Sequence, residues 1–210
     1  MAEERSNSKF YFVGSYLCLD FVNTEVVADG EPVDLLRSFT DLVKWSVEAG
    51  VFDAAQAKEL TKEWDGEREA ERAFEQGKEF RVALREMVNR VVEGKSVQQS
   101  TVARINEVLQ HKIGVAQVVR VRNGYEKHFH ASFSEPVHLL VPIAESAADF
   151  LCEADRSLLK KCENPACVLF FYDTTKNHAR RWCSMSACGN RAKVAAHYRR
   201  ARSSNSMVRA

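Results

Sequence analysis

The sequence has no apolar run of the roughly 18 residues that a membrane-spanning helix needs, so no span is expected. Its opening, MAEERSNSKF, lacks the apolar stretch of a secretory signal, which points to a cytoplasmic setting. No internal repeat of about 20–50 residues interrupts the chain, and no long low-complexity linker does. The P-loop, the nucleophile elbow and the dinucleotide-binding glycine fingerprint are all missing. Their absence argues against an enzyme, leaving only an unsignposted pocket in the N-terminal part as the enzyme alternative.

Acid is scarce near the C-terminus. Residues 160–210 hold 11 Lys or Arg against two acids, Glu163 and Asp173, and so carry +9, whereas residues 1–159 carry −8. The overall net charge of +1 therefore conceals an acidic body with a basic, anion-binding end. A segment this basic suits nucleic acid or, less often, an anionic lipid surface. The alternatives are a solvated tail or a tail that pairs with the acidic body. The 45% hydrophobic share over 210 residues is enough for one good core and a small appendage, and the balanced charge argues against disorder.

Periodicity gives the expected elements. FYFVGSYLCLDFVNT (residues 10–24) reads as one or two short strands or an extended entry segment. Asp34 can cap a helix through Ala49 with Leu35, Leu36, Phe39, Leu42 and Val43 on one face, ended by Gly50. A second helix starts at Asp53. A long one covers about Glu67 to Val92, with Ala73, Gly77, Phe80, Leu84, Met87 and Val91 on its apolar face and Gly94 at its end. Ser100 can cap another through Leu109. IGVAQVVRVRNGYEKHFHASF then reads as a β-hairpin with a type I′ turn at Asn123-Gly124. After Pro136 a helical stripe returns and is expected to run directly into Lys160, Lys161 and Cys162. Cys18 and Cys152 read as small core residues. His128 and His130 point to one strand face with no third ligand nearby, which favours ordinary exposed histidines over a second metal or haem site.

Four of the six cysteines follow the spacing Cys162-x4-Cys167-x15-Cys183-x4-Cys188. Two short knuckles can bend four thiolates around a tetrahedral Zn²⁺. A reducing cytosol favours metal over disulfides, and a redox pair normally has two intervening residues. Four thiolates leave no open coordination position, so the zinc is structural. His178 could stand in for one cysteine, but its place beside the turn suits a phosphate contact or a plain surface position better. VLFFYDTTKNHARRW reads as strand, turn at Asp173–Asn177 and second strand, with a helix starting near Cys188. That is a treble-clef or ribbon-like finger, too small to fold without its metal. On the helix, Val194, Tyr198 and Ala201 are spaced to pack inward, while Lys193, His197 and Arg200 line another face. Arg180 and Arg181 precede Trp182, which with Phe170 reads as the finger's own small core. Arginine forks suit phosphates and guanine edges.

RRWCSMSACGNRAKVAAHYRR resembles the CGNR zinc finger, through Cys188-Gly189-Asn190-Arg191, and KCENPACVLFFYD fits that finger's first knuckle. LCLDFVNT (residues 17–24), with Trp45 in a helix ending EAG, is similar to the ABATE domain that usually precedes this finger. The resemblance spans about residues 10–202. It implies an ABATE-like sensor or assembly domain (1–157), a CGNR finger (158–203), a disordered tail (204–210), and a stress-related bacterial transcription regulator. All four cysteines match the family's ligands; TTKNHA replaces the Gly/Arg-rich turn common before RRWC, so no DNA contact is assigned there.

The fold expected is α+β: a mostly helical N-terminal domain with a small antiparallel sheet, then the finger. The candidate nucleic-acid contacts are Arg180, Arg181, Asn190, Arg191, Lys193, His197 and Arg200. Asp20, Asn23 and Thr24 are candidate ligands for a small-molecule effector, against the alternative that they satisfy backbone groups at the end of an apolar segment. The partner expected is double-stranded DNA, bound by a homodimer, since one finger gives a small interface. RNA binding and protein contact are the alternative roles for the finger.

Overall fold

The computed structural model describes residues 8–64 and 66–207, with side chains through Tyr198. The apolar segment at residues 10–24, expected to be extended, instead closes into a helix, α1 (Leu17–Val22), with Cys18, Leu19, Phe21 and Val22 all buried. A short apolar run buried on every side carries no period that separates strand from helix. What commits it to a helix is local: Asp20 Oδ1 accepts the Gly14 N–H at 2.7 Å, folding the entry segment back over the first turn. A Cβ on Gly14 would stand 2.6 Å from Leu19 Cβ.

Next comes a hairpin that hydropathy did not announce, β1 (Glu25–Ala28) with β2 (Glu31–Asp34). Asp29 and Gly30, at φ 51° and 88°, form its turn. Asp34 therefore lies in a strand and does not cap a helix; α2 (Phe39–Glu48) starts at Ser38, whose Oγ accepts the Asp41 N–H. Gly50 ends it at φ 80°. Asp53 caps α3 (Ala54–Trp64) by accepting from Ala55 and Gln56. The long helix α4 (Arg68–Val92) follows its expected bounds, and α5 (Gln99–Leu109) has Gln98 at its N-cap, so Ser100 lies within the helix and does not cap it.

β3 (Gly114–Val121) and β4 (Gly124–Ala131) form the second hairpin. Its turn residues are Arg122 and Asn123, and in this turn only Gly124 takes a positive φ, so the turn is not type I′. A 3₁₀ turn (Pro136–Leu140) leads into α6 (Val141–Glu153). That helix stops at Glu153 and does not run on into the cysteines: Asp155 caps a short turn, and the chain enters β5 (Leu159–Lys161) extended. Cys152 is exposed, not a core residue.

The core forms around α4, whose Phe80, Leu84, Met87 and Val88 meet Trp45, Phe21, Leu139, Ile143 and Phe150. Gly77 lets α4 approach Leu140, which a Cβ would meet at 3.2 Å. β6 (Phe170–Tyr172) pairs with β5 across the first knuckle, and not with a second strand from 178–182, where none forms. A wide helical turn (Met185–Gly189) then opens α7 (Asn190–Met207). Val194 and Tyr198, expected inward, are 55% and 65% exposed. Ala201's side chain lies outside the described residues.

Candidate metal centre and nucleic-acid interface

Two knuckles bring the thiols together. In the first, Cys162 N–H donates to Leu169 O and Cys167 N–H to Asn164 O, while Asn164 Oδ1 accepts from Ala166. In the second, Ser184 Oγ accepts from Ala187 and Gly189 N–H donates to Ser184 O, so Cys188 rides the turn that opens α7. Glu163 N–H donates to Arg181 O and ties one knuckle to the other.

The four Sγ atoms all lie within 4.8 Å of one another, with Cys167–Cys183 at 3.8 Å and Cys183–Cys188 at 3.7 Å. A Zn–S bond of about 2.3 Å places tetrahedral sulfurs about 3.8 Å apart, so the cluster has the dimensions of a four-thiolate zinc site. Outer donors are in place too: Cys183 N–H reaches Cys162 Sγ at 3.4 Å and Asn164 Nδ2 reaches Cys188 Sγ at 3.1 Å. With protons alone the four thiols cannot share this space as anions. The hydrogen bond from Cys183 brings Cys167 down to about 5, and the same contact pushes Cys183 up. Burial pushes Cys162 up. A divalent cation resolves the conflict by holding all four as thiolates. By contrast, burial pushes the lone Cys18 up to about 12, leaving it an inert core thiol.

The module is seated in the body, not tethered to it. Leu159 and Phe170 belong to the main core, while Val26 of β1 joins Leu169, Phe171 and the cysteines in a second cluster. Asn23 Nδ2 donates to Phe170 O at 2.8 Å and Asn23 Oδ1 accepts Phe170 N–H at 2.9 Å, so one side chain acts as a missing strand partner. Tyr172 N–H donates to Gly14 O, and its ring meets Tyr16 and Phe150 edge-on.

Asp173, fully buried, organises the loop that follows. It accepts from Lys160 Nζ (2.7 Å), Thr175 Oγ1 (2.6 Å), Thr175 N–H (3.0 Å) and Arg180 N–H (2.9 Å). Burial pushes its carboxyl up, but these donors outweigh it and hold the group well below the usual carboxylate range. His178, at φ 48°, sets its Nδ1 3.1 Å from Asp173 O and gives its carbonyl to Lys160.

The basic residues separate into two groups. Arg180 is a structural clamp: its guanidinium donates to Trp182 O, Cys183 O and Val13 O and lies 4.2 Å from the Phe171 ring centroid. Arg181 pairs with Glu163. Asn190 Nδ2 donates to Ser186 O. Arg191, Lys193 and His197, in contrast, are exposed on α7 with no ion pair among the described residues. The Arg200 side chain lies outside the described residues.

Asp20, Asn23 and Thr24 do not converge on one opening. Asp20 is engaged with Gly14. Asn23 and Thr24 are each 1% exposed, and Thr24 Oγ1 donates to Phe21 O and accepts from Arg81 Nη1 at 2.6 Å. Arg81, hidden in the apolar stripe of α4, also grips Asp34 at 2.5 and 2.9 Å, while Arg85 holds Glu25, so α4 is bolted to the β1–β2 hairpin. The hint in the sequence was two arginines at i and i+4 among apolar residues. A cavity of about 350 Å³ lies elsewhere, between the N-terminal segment and the knuckles, walled by Tyr11, Val26, Val27, Val168 and Arg191.

Comparison with known families matches both parts. Residues 15–154 match ABATE, described as "putative stress-induced transcription regulator", and residues 159–201 match the CGNR zinc finger. No curated protein matches the chain. Among the described residues, no helix is long and apolar enough to cross a membrane. The chain belongs to the ABATE family, and its four cysteines form the zinc site of a CGNR finger.

Proposed function

We propose that this ABATE-family chain is a DNA-binding transcription regulator in which α7, and not the chain around Arg180 and Arg181, meets the duplex. The observation that carries this reading is the state of the cations. Of those before Trp182, Arg180 is bound to finger carbonyls and Arg181 is paired with Glu163. Arg191, Lys193 and His197 stand exposed on a helix whose 18 residues contain no acid and whose Val194 and Tyr198 remain outside any core. An α-helix fits the major groove, and arginine and lysine at its start reach phosphates and base edges. The zinc would fix the helix to the knuckles by holding Cys188 in the turn that opens it.

Fluorescence anisotropy with a labelled random duplex tests this. The zinc-loaded protein should bind, and replacing Arg191, Lys193 and His197 with alanine should remove binding while zinc content is retained. A duplex affinity unchanged in that variant would overturn the reading; preference for single strands in competition would move it to RNA. An effector would enter the cavity beside Arg191. Small carboxylic acids should raise the melting temperature in the wild type and not in Arg191→Ala; no shift in either would leave the cavity without a ligand role.

A further inference from the structure

The β3–β4 ribbon is the part of the surface that the fold does not explain. Its base is firm. Ser132 N–H donates to Ile113 O, Lys112 pairs with Glu145 of α6 and lies 4.5 Å from the Phe129 ring centroid, and Phe133 meets Phe52 edge-on at 5.7 Å. Beyond the base, every residue of β4 is exposed, and so is all of β3 except Val119 and Val121. Val115, Val118 and Tyr125 are 67%, 69% and 74% exposed. A two-stranded ribbon standing alone in water is marginal at best, and three or more strands make it stable.

Charge selects the edge. β4 carries Glu126, Lys127 and His128, the kind of side chain that guards an open strand. β3 carries no charge from Gly114 through Val119, a run of six residues that includes Val115, Val118 and Val119. Such an unguarded edge is a template for another strand, and a second β3 fits it by symmetry. A two-fold axis at Val118 sets Val118 against its own counterpart, Gln117 against Val119, Ala116 against Arg120 and Val115 against Val121. No like charges face each other in that register, as an isologous contact requires. Val118, Tyr125 and Phe129 share one ribbon face, because Val118 pairs with Lys127, Arg120 with Tyr125 and Ala116 with Phe129. Arg120 and Lys127 lie on the same face, and joining two copies sets Val118 against Val118 between them while Arg120 faces Ala116 of the other copy.

We propose that β3 is the seam of a homodimer, two copies joining edge to edge into a four-stranded antiparallel sheet. The inference stands apart from DNA binding, since the seam uses neither the finger nor α7. The rival occupant is nucleic acid, because Arg120, Arg122 and Lys127 also lie on the ribbon.

Sedimentation equilibrium of the full zinc-loaded chain tests it. The wild type should be a dimer. Val118→Lys, which sets two like charges face to face across the axis, should raise the dimer dissociation constant by about tenfold or more, with zinc content and circular dichroism unchanged. A second variant reads the register without burdening the seam. In a Cys152→Ser background, Val118→Cys should be cross-linked into dimers by a short bis-maleimide, and Glu126→Cys on the guarded edge should not. A monomeric wild type overturns the proposal, as does a dimer indifferent to Val118→Lys or cross-linked equally well from Glu126→Cys. A monomeric wild type whose DNA affinity falls when Arg120 and Arg122 are replaced by alanine would assign the ribbon to nucleic acid.

Discussion

Single side chains do much of the joining in this molecule. Asn23 is the plainest example: it supplies both halves of a strand contact to Phe170, deep between body and finger. Asn23→Ala leaves a buried N–H and a buried C=O unpaired, which should destabilise the chain by roughly 2–4 kcal/mol in urea unfolding. Asp173 plays the same part within the finger, where four donors converge on one carboxylate. Because its folded value is held low, its contribution is present at neutral pH and is lost as pH falls below the ordinary carboxylate range. The stability gap between wild type and Asp173→Asn should therefore be widest at neutral pH and narrow in acid. A gap that widens in acid would contradict this role.

Elements were legible where one face is buried and the other is wet. The apolar stripe of α4 shows in the sequence because Phe80, Leu84 and Met87 alternate with solvated charges. α1 hides because almost nothing on it is wet. The β1–β2 hairpin hides because each strand has only four residues; the signal that could have found it was Asp29-Gly30. The pairing of β5 with β6 is set by the knuckle between them, which spacing alone does not orient. Val194 and Tyr198 have helical spacing with no core beneath it, so periodicity placed the stripe but not its surroundings. Of the site, the four zinc ligands were legible from their spacing. The division between structural and free arginines was not, because it depends on carbonyls that the fold brings to Arg180.

Two element-scale outcomes follow. Gly14→Ala puts a Cβ against the rigid start of the Leu19 side chain, and should cost about 1–3 kcal/mol by thermal or urea unfolding. His138, where the ribbon joins α6, accepts the N–H groups of Ser134 and Glu135 through Nδ1, and burial lowers its affinity for a proton. The unfolded chain takes up that proton first, so stability should rise with pH through the ordinary histidine range near 6.5 and level off above it. His138→Gln should flatten that rise; a slope unchanged by the substitution would assign it elsewhere.

At the scale of the whole molecule, the zinc finger and the body share packed contacts. Leu159 and Phe170 lie in the main core, Val26 lies in the metal cluster, and Arg180 clasps the Val13 carbonyl. Chelating the zinc should lower the melting temperature of the entire chain in a single calorimetric transition. Two separate transitions, with the body unmoved, would show that the finger is only an attachment. A single transition would give the metal its role in the proposed function, that of fixing how α7 leaves the body.

The most direct measurement is the salt dependence of duplex binding for wild type, Arg191→Ala/Lys193→Ala and Arg181→Ala, each zinc-loaded. Each lost phosphate contact lowers the magnitude of the slope of log affinity against log salt by about 0.9. The α7 variant should lose up to about two such steps, and Arg181→Ala should keep the wild-type slope. An α7 variant with the wild-type slope and affinity, or a loss confined to Arg181→Ala, would contradict the placement of the DNA interface on α7.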